Sequence, residues 1–410
     1  MAPIVTQHAE EAAFHWLLRD RAVRAPHYSL RRLNILDTRL DAHLDGLRIA
    51  GDAGWELCRE QLAWKEAGEV FTGALLALEG GDETRLAEVL AVGTQDPELA
   101  RGAVSALGWV ERGQAEPHVE KLAASENAIT RLIAVGAWGV QRVDPPGGLA
   151  RFMEDADPIV RVRSYRAAGE LGQRELLSAL RSALGEANDA CRFWAAWSAA
   201  LLGEQRGTAE LRSFAESRSL FATRAALVAA RAMSHEEALE WQRALAADGR
   251  HRRTAVQVAS AIGDPVLVPW LLEQMEEPAV ARVAGEAFTT ITDIDLAYHD
   301  LDGEWPEGFQ AGPTEDASDE NVAMDEDEDL PFPDAGLVGA WWAKNDRAYR
   351  FGTRYLLGKA IHEESLREAL RAGRQRQRAA AALELVLRHP GTPLFEVRAR
   401  ADRQIVALGG

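Results

Sequence analysis

Apolar residues near the start of the chain follow a helical spacing. Five leucines recur at steps of three and four residues: Leu33, Leu36, Leu40, Leu44 and Leu47. This spacing places them on one face of an amphipathic helix. Residues 11–21 carry a second dense group of alanine, leucine and aromatic residues. We therefore predict that residues 1–65 form a helical N-terminal cap.

The middle of the chain repeats with a period of about thirty residues. Seven windows, spaced by 29 to 31 residues, begin at Asp96, Asn127, Asp157, Asn188, Ser217, Asp248 and Glu277. Twelve positions into each window stands a small residue: Gly108, Gly139, Gly169, Ala200, Ala229, Ser260 and Thr289. Such a period is typical of a solenoid, whose units bury their apolar faces against their neighbours. We predict an all-α fold, a right-handed α-solenoid of seven or eight short repeats over residues 66–294.

Each repeat is predicted to contain two short helices, and Asp-Pro pairs mark some of the helix starts. In Asp96–Pro97 and Asp157–Pro158 the carboxylate can accept hydrogen bonds from free N–H groups, and proline suits the first helical position. Residues 67–78 are a candidate degenerate first repeat, because terminal repeats differ from central ones.

The repeat fades after Ile294, where the chain becomes acidic. Between Val283 and Ala343 there are 17 Asp and Glu residues and no Lys or Arg, so this segment accounts for nearly all of the net charge of −18. We predict that residues 295–334 form a disordered or loosely held acidic loop. Residues 335–410 are predicted to be a small helical C-terminal region, with helices over 365–371 and 375–388.

Composition narrows the class of protein. Cys58 and Cys191 offer no disulfide framework and fit a reducing cytoplasm. No apolar run approaches the ~18 residues that a membrane span needs, and residues 1–10 lack the pattern of a signal peptide. We expect a cytoplasmic protein with no membrane contact. Because the solenoid itself is near neutral, we also expect no nucleic-acid partner.

Four arginines recur at the fifth residue of their windows: Arg131, Arg161, Arg192 and Arg252. One interpretation is that they line one face and bind an acidic partner. The other is that each pairs with an acidic or amide side chain of its own or the adjacent repeat, which gives a structural ladder. We favour the ladder, because periodic residues in a solenoid usually serve stacking.

A second set of arginines is the candidate partner-binding site. Arg367, Arg371, Arg374 and Arg378 would share one face of a continuous helix, although Gly373 weakens a helix there. Such a stripe could bind an acidic peptide. We hypothesise that the chain's own residues 315–329 fold onto it and compete with an external partner. A solvated helix and a solvated loop are the alternative.

The repeats and the ends of the chain resemble a known family. Residues 157–161 (DPIVR) and 167–172 (AAGELG) resemble HEAT repeats of the short kind. The flanking motifs AFHWLLRD (13–20), RLDAHLDGL (39–47), GTRYLLG (352–358) and RQRAA (376–380) are similar to those of uncharacterised proteobacterial HEAT-repeat proteins, often encoded near type VI secretion genes. The resemblance implies an association with secretion machinery and brings no catalytic residues.

The sequence carries no motif for nucleophilic or metal-dependent catalysis. No GxSxG, P-loop, CxxC or HExxH occurs. The pairs His235–Glu236 and His362–Glu363 resemble those of deoxyhypusine hydroxylase, a HEAT-repeat di-iron enzyme that needs four such pairs. Here there are two pairs, 127 residues apart. We expect no enzymatic activity, no catalytic residue, no metal site and no cofactor.

The predicted function is that of a protein–protein interaction scaffold, an adaptor, chaperone or regulator associated with type VI secretion. Its partner would be another protein, with a secretion component or an effector as candidates. Two alternatives stay open. One is an immunity-type protein that binds a toxin, and the other is a HEAT-repeat enzyme or enzyme subunit acting on a macromolecule.

Overall fold

The computed structural model describes residues 2–313, 318 and 324–409, and its regular structure is almost entirely helical. The helices of the first half are α1 (Ala2–Ala22), α2 (Leu30–Ala50), α3 (Asp52–Gln61), α4 (Ala67–Gly80), α5 (Glu83–Gly93), α6 (Pro97–Trp109), α7 (Arg112–Ala123), α8 (Ala128–Gln141), α9 (Ala150–Met153), α10 (Pro158–Leu171), α11 (Leu177–Ala183) and α12 (Asp189–Leu201). Those of the second half are α13 (Gln205–Ala215), α14 (Ala222–Ala232), α15 (His235–Ala246), α16 (Arg252–Ile262), α17 (Val268–Met275), α18 (Pro278–Thr292), α19 (Ala335–Asn345), α20 (Glu363–Ala372), α21 (Gln375–Arg388) and α22 (Ala401–Ala407).

Short 3₁₀ turns and one hairpin complete the regular structure of the described residues. The turns are Leu62–Trp64, Arg174–Leu176, Gly249–His251, Pro265–Leu267 and Asp346–Ala348. The hairpin pairs strands β1 (Tyr355–Leu356) and β2 (Lys359–Ala360) in antiparallel register.

The chain divides into two compact units. Unit 1 comprises Met1–Glu210 and Val386–Gly410, and unit 2 comprises Leu211–Leu385. These limits differ from the predicted ones at residues 65, 294 and 334. The predicted limits follow changes in sequence character, whereas the units follow packing between residues that are distant along the chain.

Unit 1 is built from helices stacked in series, as predicted for a solenoid. One row is continuous, because α4 packs on α6, α6 on α8, α8 on α10 and α10 on α12. Helices α5, α7, α9 and α11 lie beside that row, each against a neighbour in it. At the start of the stack, α1 contacts both α2 and α4, and the predicted leucine face of α2 is buried.

The first four repeat windows begin at helix N-caps. The side chains of Asp96, Asn127, Asp157 and Asn188 accept hydrogen bonds from backbone N–H groups in the first turns of α6, α8, α10 and α12. The recurrent small residue serves close packing, as at Gly169. A Cβ on Gly169 would lie 2.5 Å from the Ser198 Oγ, and the Gly169 N–H donates to that oxygen at 3.2 Å.

The C-terminal segment belongs to unit 1. Ala401, at the start of α22, is fully buried in a cluster with Ala22, Leu33 and Leu36. Further back, the Leu394 N–H donates to the Glu170 carbonyl oxygen at 3.0 Å. Residues 386–409 therefore contribute to the core of unit 1.

Unit 2 continues the same helical stacking within itself. Helix α14 packs on α16 and α16 on α18, while α15 and α17 lie beside this row. Helix α19 packs on α17, and strand β1 contacts α18.

The acidic segment, where it is described, is fixed by ion pairs of unit 2. Asp325 accepts two hydrogen bonds from Arg282, at 2.7 and 2.8 Å. Asp327 accepts two from Arg253, at 2.8 and 2.6 Å. The Arg282 guanidinium also lies 4.9 Å from the Trp305 ring centroid. The prediction of a loose loop is wrong for Asp325 and Asp327, because the buried Arg282 and the partly exposed Arg253 bind their carboxylates. Residues 314–317 and 319–323 lie outside the described part of the chain.

Candidate binding groove

Unit 1 contains a groove with a volume of about 730 Å³. Helices α1, α6, α8 and α10 line it together with the C-terminal segment. Its lining includes only three carboxylates: Asp20, Glu111 and Glu396. It includes ten arginines: Arg19, Arg24, Arg101, Arg112, Arg142, Arg163, Arg166, Arg398, Arg400 and Arg403. The lining thus has a formal excess of seven positive charges in a protein whose net charge is −18.

Two buried carboxylates organise one end of the groove. Glu170 contacts the Arg166 Nε at 2.8 Å and the Arg163 Nη2 at 2.9 Å. Glu396 contacts the Arg398 Nη2 at 2.7 Å and the Arg142 Nη2 at 3.1 Å. Four guanidinium groups thus surround two carboxylates, which leaves two positive charges uncompensated within this cluster.

The pKa values of both carboxyls reflect these neighbours. Burial alone would raise the pKa of Glu170, but the surrounding arginines outweigh it and hold this pKa far below its usual range. Burial also opposes ionisation of Glu396, yet Arg398 and Arg142 lower its pKa to about 2. Both carboxylates therefore stay ionised, and they fix the arginines rather than act as proton donors.

Trp109 lies between two arginines of the groove. The guanidinium carbons of Arg19 and Arg400 are 4.9 and 5.0 Å from its ring centroid, a cation–π geometry. Only 3% of Trp109 is exposed, and Trp16 of the same groove is 4% exposed. These aromatic rings are therefore unavailable as stacking platforms for nucleic-acid bases.

The C-terminal segment holds one wall of the groove in place. Arg403 donates to the carbonyl oxygens of Gly108, Trp109 and Val110 at 2.7 to 3.0 Å. These carbonyls lie at the C-terminal end of α6, where a cation is favourable. The Arg142 Nε donates to the Leu394 carbonyl oxygen at 2.7 Å. This wall is consequently formed by sequence that follows α6 by almost 300 residues.

Several groove arginines remain exposed to solvent. Arg24 and Arg112 are exposed, and the side chain of Arg101 is 39% exposed. These three lie where an incoming anionic group can reach them. Sequence reasoning missed the groove because its arginines come from four separate stretches of the chain. The sequence feature that could have indicated the groove is the arginine-rich run 398–403, with three arginines in six residues.

Each recurrent arginine of unit 1 pairs with a carboxylate later in its own window and donates to a carbonyl oxygen at the end of the preceding window. Arg131 pairs with Asp155 at 2.7 and 2.8 Å, and Arg161 pairs with Glu186 at 3.3 and 3.0 Å. Arg192 pairs with Glu210 at 2.9 Å. Each also donates to a carbonyl oxygen in the loop that precedes its own helix. In unit 2, Arg252 contacts Glu277 at 3.0 Å.

The predicted C-terminal arginine stripe does not form, because Gly373 separates α20 from α21. Arg378 is fully buried and donates to the Leu370 carbonyl oxygen at 2.7 Å; burial lowers its pKa to about 10. Arg374 pairs with Asp295. The predicted site is thus reduced to Arg367 and Arg371, which are exposed and whose role in partner binding stays a prediction.

The acidic segment is not bound by the predicted stripe where it is described. Asp325 and Asp327 contact Arg282 and Arg253 instead. Residues 315–317 and 319–323 of the proposed competing peptide lie outside the described residues.

The His-Glu pairs of the sequence do not meet among the described residues. The His235 Nε2 lies 2.8 Å from Asp264 Oδ2, whereas His362 caps α20 by accepting a hydrogen bond from the Ser365 N–H. The pKa of the Cys191 thiol is raised to about 11, chiefly by burial, which disfavours the reactive thiolate. Neither feature adds to the chemistry of the groove.

The stacked helices of each unit and the thirty-residue repeat define an all-α fold of the solenoid class. Residues 146–232 match the family of HEAT repeats. Repeats of this kind generally mediate protein–protein interaction. No curated protein matches the chain. None of the described helices is both long and apolar enough to cross a membrane.

Proposed function

We propose that the chain is a non-catalytic interaction scaffold whose unit 1 groove binds a carboxylate-rich segment of a partner protein. The observation that carries the proposal is the groove lining, with ten arginines and three carboxylates. Arginine suits this role because its planar fork binds carboxylates through two hydrogen bonds. A groove of about 730 Å³ is wide enough for several side chains of an extended segment.

The arginines of the groove are positioned by neighbouring carboxylates, which favours a role in binding over a role in solubility alone. Five carboxylates outside the groove lining also pair with its arginines: Asp37, Asp41, Glu98, Glu170 and Asp402. The buried carboxylates Asp37 and Glu170 hold Arg19 and Arg166 in fixed positions before a partner arrives. Fixed side chains lose less conformational entropy on binding, so more of the contact energy appears as affinity.

A protein segment fits the groove better than a nucleic acid does. Binding of single strands relies on exposed aromatic rings, and the two tryptophans of this groove are buried. The similarity to HEAT repeats over residues 146–232 also favours a protein partner. We therefore assign the groove to an acidic polypeptide.

The biological role we propose is that of a cytoplasmic adaptor, chaperone or regulator associated with type VI secretion. This association rests on the resemblance of the N- and C-terminal motifs to that family. Co-purification of a toxin at equal stoichiometry, together with rescue of growth, would instead support the immunity-type alternative. Activity that depends on a metal and on His235 and Glu236 would support the enzyme alternative.

The groove is tested by reversing charge at two exposed positions. The Arg24→Glu/Arg112→Glu variant changes the groove, and the Arg31→Glu/Arg39→Glu variant makes the same charge change on exposed positions of α2 that do not line the groove. Binding of a fluorescent glutamate-rich peptide is measured by anisotropy at about 0.1 M salt. Two reversed contacts at roughly 0.5–1 kcal/mol each predict a loss of about tenfold for the groove variant. The α2 variant should lose little, because screening limits its influence to about 10 Å.

Two results would contradict the proposal. Equal losses in both variants would mean that the peptide senses only net charge. Tighter binding of a single-stranded oligonucleotide than of a peptide with the same charge would reassign the groove to nucleic acid.

A further inference from the structure

Three histidines and a glutamate meet where α1 packs against α2 in unit 1, away from the groove. His8, Glu11 and His15 occupy one face of α1, because they are three and four residues apart. His43 approaches them from α2. Donor atoms of Glu11, His15 and His43 all lie within 4.8 Å of one another.

The imidazole rings are held by specific contacts. The His15 and His43 rings stack with centroids 5.1 Å apart and an interplanar angle of 28°. The Nδ1 of His15 lies 2.8 Å from the Glu11 carbonyl oxygen. The Nδ1 atoms of His8 and His43 are 3.3 Å apart. Because a carbonyl oxygen only accepts, the His15 Nδ1 donates to it, which leaves the His15 Nε2 with a lone pair for a ligand.

This arrangement is the one that metal-binding histidines adopt. A ligating imidazole donates its other N–H to a carbonyl or similar acceptor, which fixes both the tautomer and the ring orientation. For His15 the acceptor is the Glu11 carbonyl, and the outer partner of His43 is the His8 imidazole. The two rings are oriented before any ion binds.

The His8 ring packs against a glycine of α2. Gly46 of α2 lies directly beneath it, and a Cβ at position 46 would come within 2.6 Å of the His8 Cγ. Any other residue at this position would force the His8 ring or α2 to shift. The site is also accessible, since 13% of the His15 side chain and 36% of the Glu11 side chain are exposed.

We propose that Glu11, His15 and His43 form a binding site for a divalent zinc-type cation, with His8 as the positioning residue for His43. Two imidazoles and one carboxylate are a ligand set that zinc accepts, and imidazole also suits the neighbouring first-row metals. Three protein ligands leave a fourth position of a tetrahedral ion for water. The bound ion would join α1 to α2 at the start of the helical stack.

The test measures zinc directly on untagged, chelator-stripped full-length protein. Competition with a fluorescent zinc chelator should give one zinc per chain. Both His15→Gln and His43→Gln should reduce affinity by far more than tenfold. Loss of an outer partner typically costs 10–100-fold, so His8→Gln should fall in that range. His118→Gln changes a half-buried histidine of α7 in the same unit and should leave binding unchanged.

A second readout separates metal binding from a purely structural role. Cobalt(II) added in place of zinc should give visible d–d absorption with the wild type, and the His15→Gln/His43→Gln variant should lack it while keeping its helical circular dichroism. Failure of the wild type to bind zinc at micromolar concentration would overturn the proposal. So would an equal zinc content in the wild type and the folded double variant.

Discussion

Replacement of Arg161 by alanine provides the sharpest test of what the recurrent arginines do. The Arg161 guanidinium contacts Glu186, in the loop before α12, at 3.3 and 3.0 Å. It also donates to the carbonyl oxygens of Asp155 and Ala156 at 2.9 and 3.1 Å. The variant loses four contacts that join the loop before α10 to the loop before α12.

The magnitude follows from the partial exposure of the pair. The Arg161 and Glu186 side chains are 21% and 22% exposed, so solvent weakens each contact to well under the strength of a buried charged hydrogen bond. With about 0.5–0.8 kcal/mol for each contact, the loss is about 2–3 kcal/mol. For a domain of 150–250 residues this corresponds to a fall in Tm of roughly 5–10 °C.

Differential scanning calorimetry measures this fall, and Arg39→Ala, an exposed arginine of α2, is the matched control with an expected change below about 0.5 kcal/mol. Arg161→Lys should recover only part of the loss, because an ammonium group cannot form the paired contact. The structural reasoning is refuted if Tm is unchanged in Arg161→Ala while partner binding is lost. That result would favour the alternative in which these arginines face a partner.

Two further predictions concern the buried ion pairs. The folded-state pKa values of Glu170 and Glu396 lie below the ordinary value of 4.5, that of Glu396 at about 2. The stability that these ionised carboxylates contribute is therefore complete above about pH 4.5 and is lost as the pH falls toward 2. The urea midpoint of unfolding should drop over that range, and it should drop less steeply in Glu396→Gln. Arg282→Ala removes the buried partner of Asp325, at a cost of about 3–5 kcal/mol, and should expose residues 324–334 to a glutamate-specific protease; cleavage no faster than in the exposed-site control Arg347→Ala would contradict it.

The repeat and its helix starts could be predicted because their signals are local. Asp96 and Asp157 cap the helices that begin at the next residue, so a short stretch of sequence contains the whole interaction. The thirty-residue period carries the same information many times. Neither inference requires knowledge of which distant residues meet.

The groove could not be predicted, because its residues come from distant parts of the chain. Arg19, Arg142 and Arg403 are far apart in sequence, and only the return of residues 386–409 to unit 1 brings them to one surface. The near-neutral total charge of the solenoid concealed this local excess. The prediction of an arginine stripe was wrong because α20 ends before Gly373. The helical spacing of Arg367 and Arg371 therefore does not continue to Arg378.

The histidine cluster was partly visible in the sequence. His8, Glu11 and His15 have the spacing of one helix face, but only the packing of α1 on α2 supplies His43. A search for His and Glu at steps of three and four would have found the first three residues. It would not have found the fourth.

Residues 386–409 also set an order of events during synthesis. The first 210 residues of unit 1 leave the ribosome before unit 2, whose 175 residues (211–385) take roughly 10–35 s to translate. Throughout that interval the Arg19–Asp37 pair lacks the Arg398 and Ala399 carbonyls and the Ala401 N–H that later hydrogen-bond with it. The N-terminal part of unit 1 therefore lacks these hydrogen bonds until residues 386–409 are synthesised, and unit 2 can fold before they form.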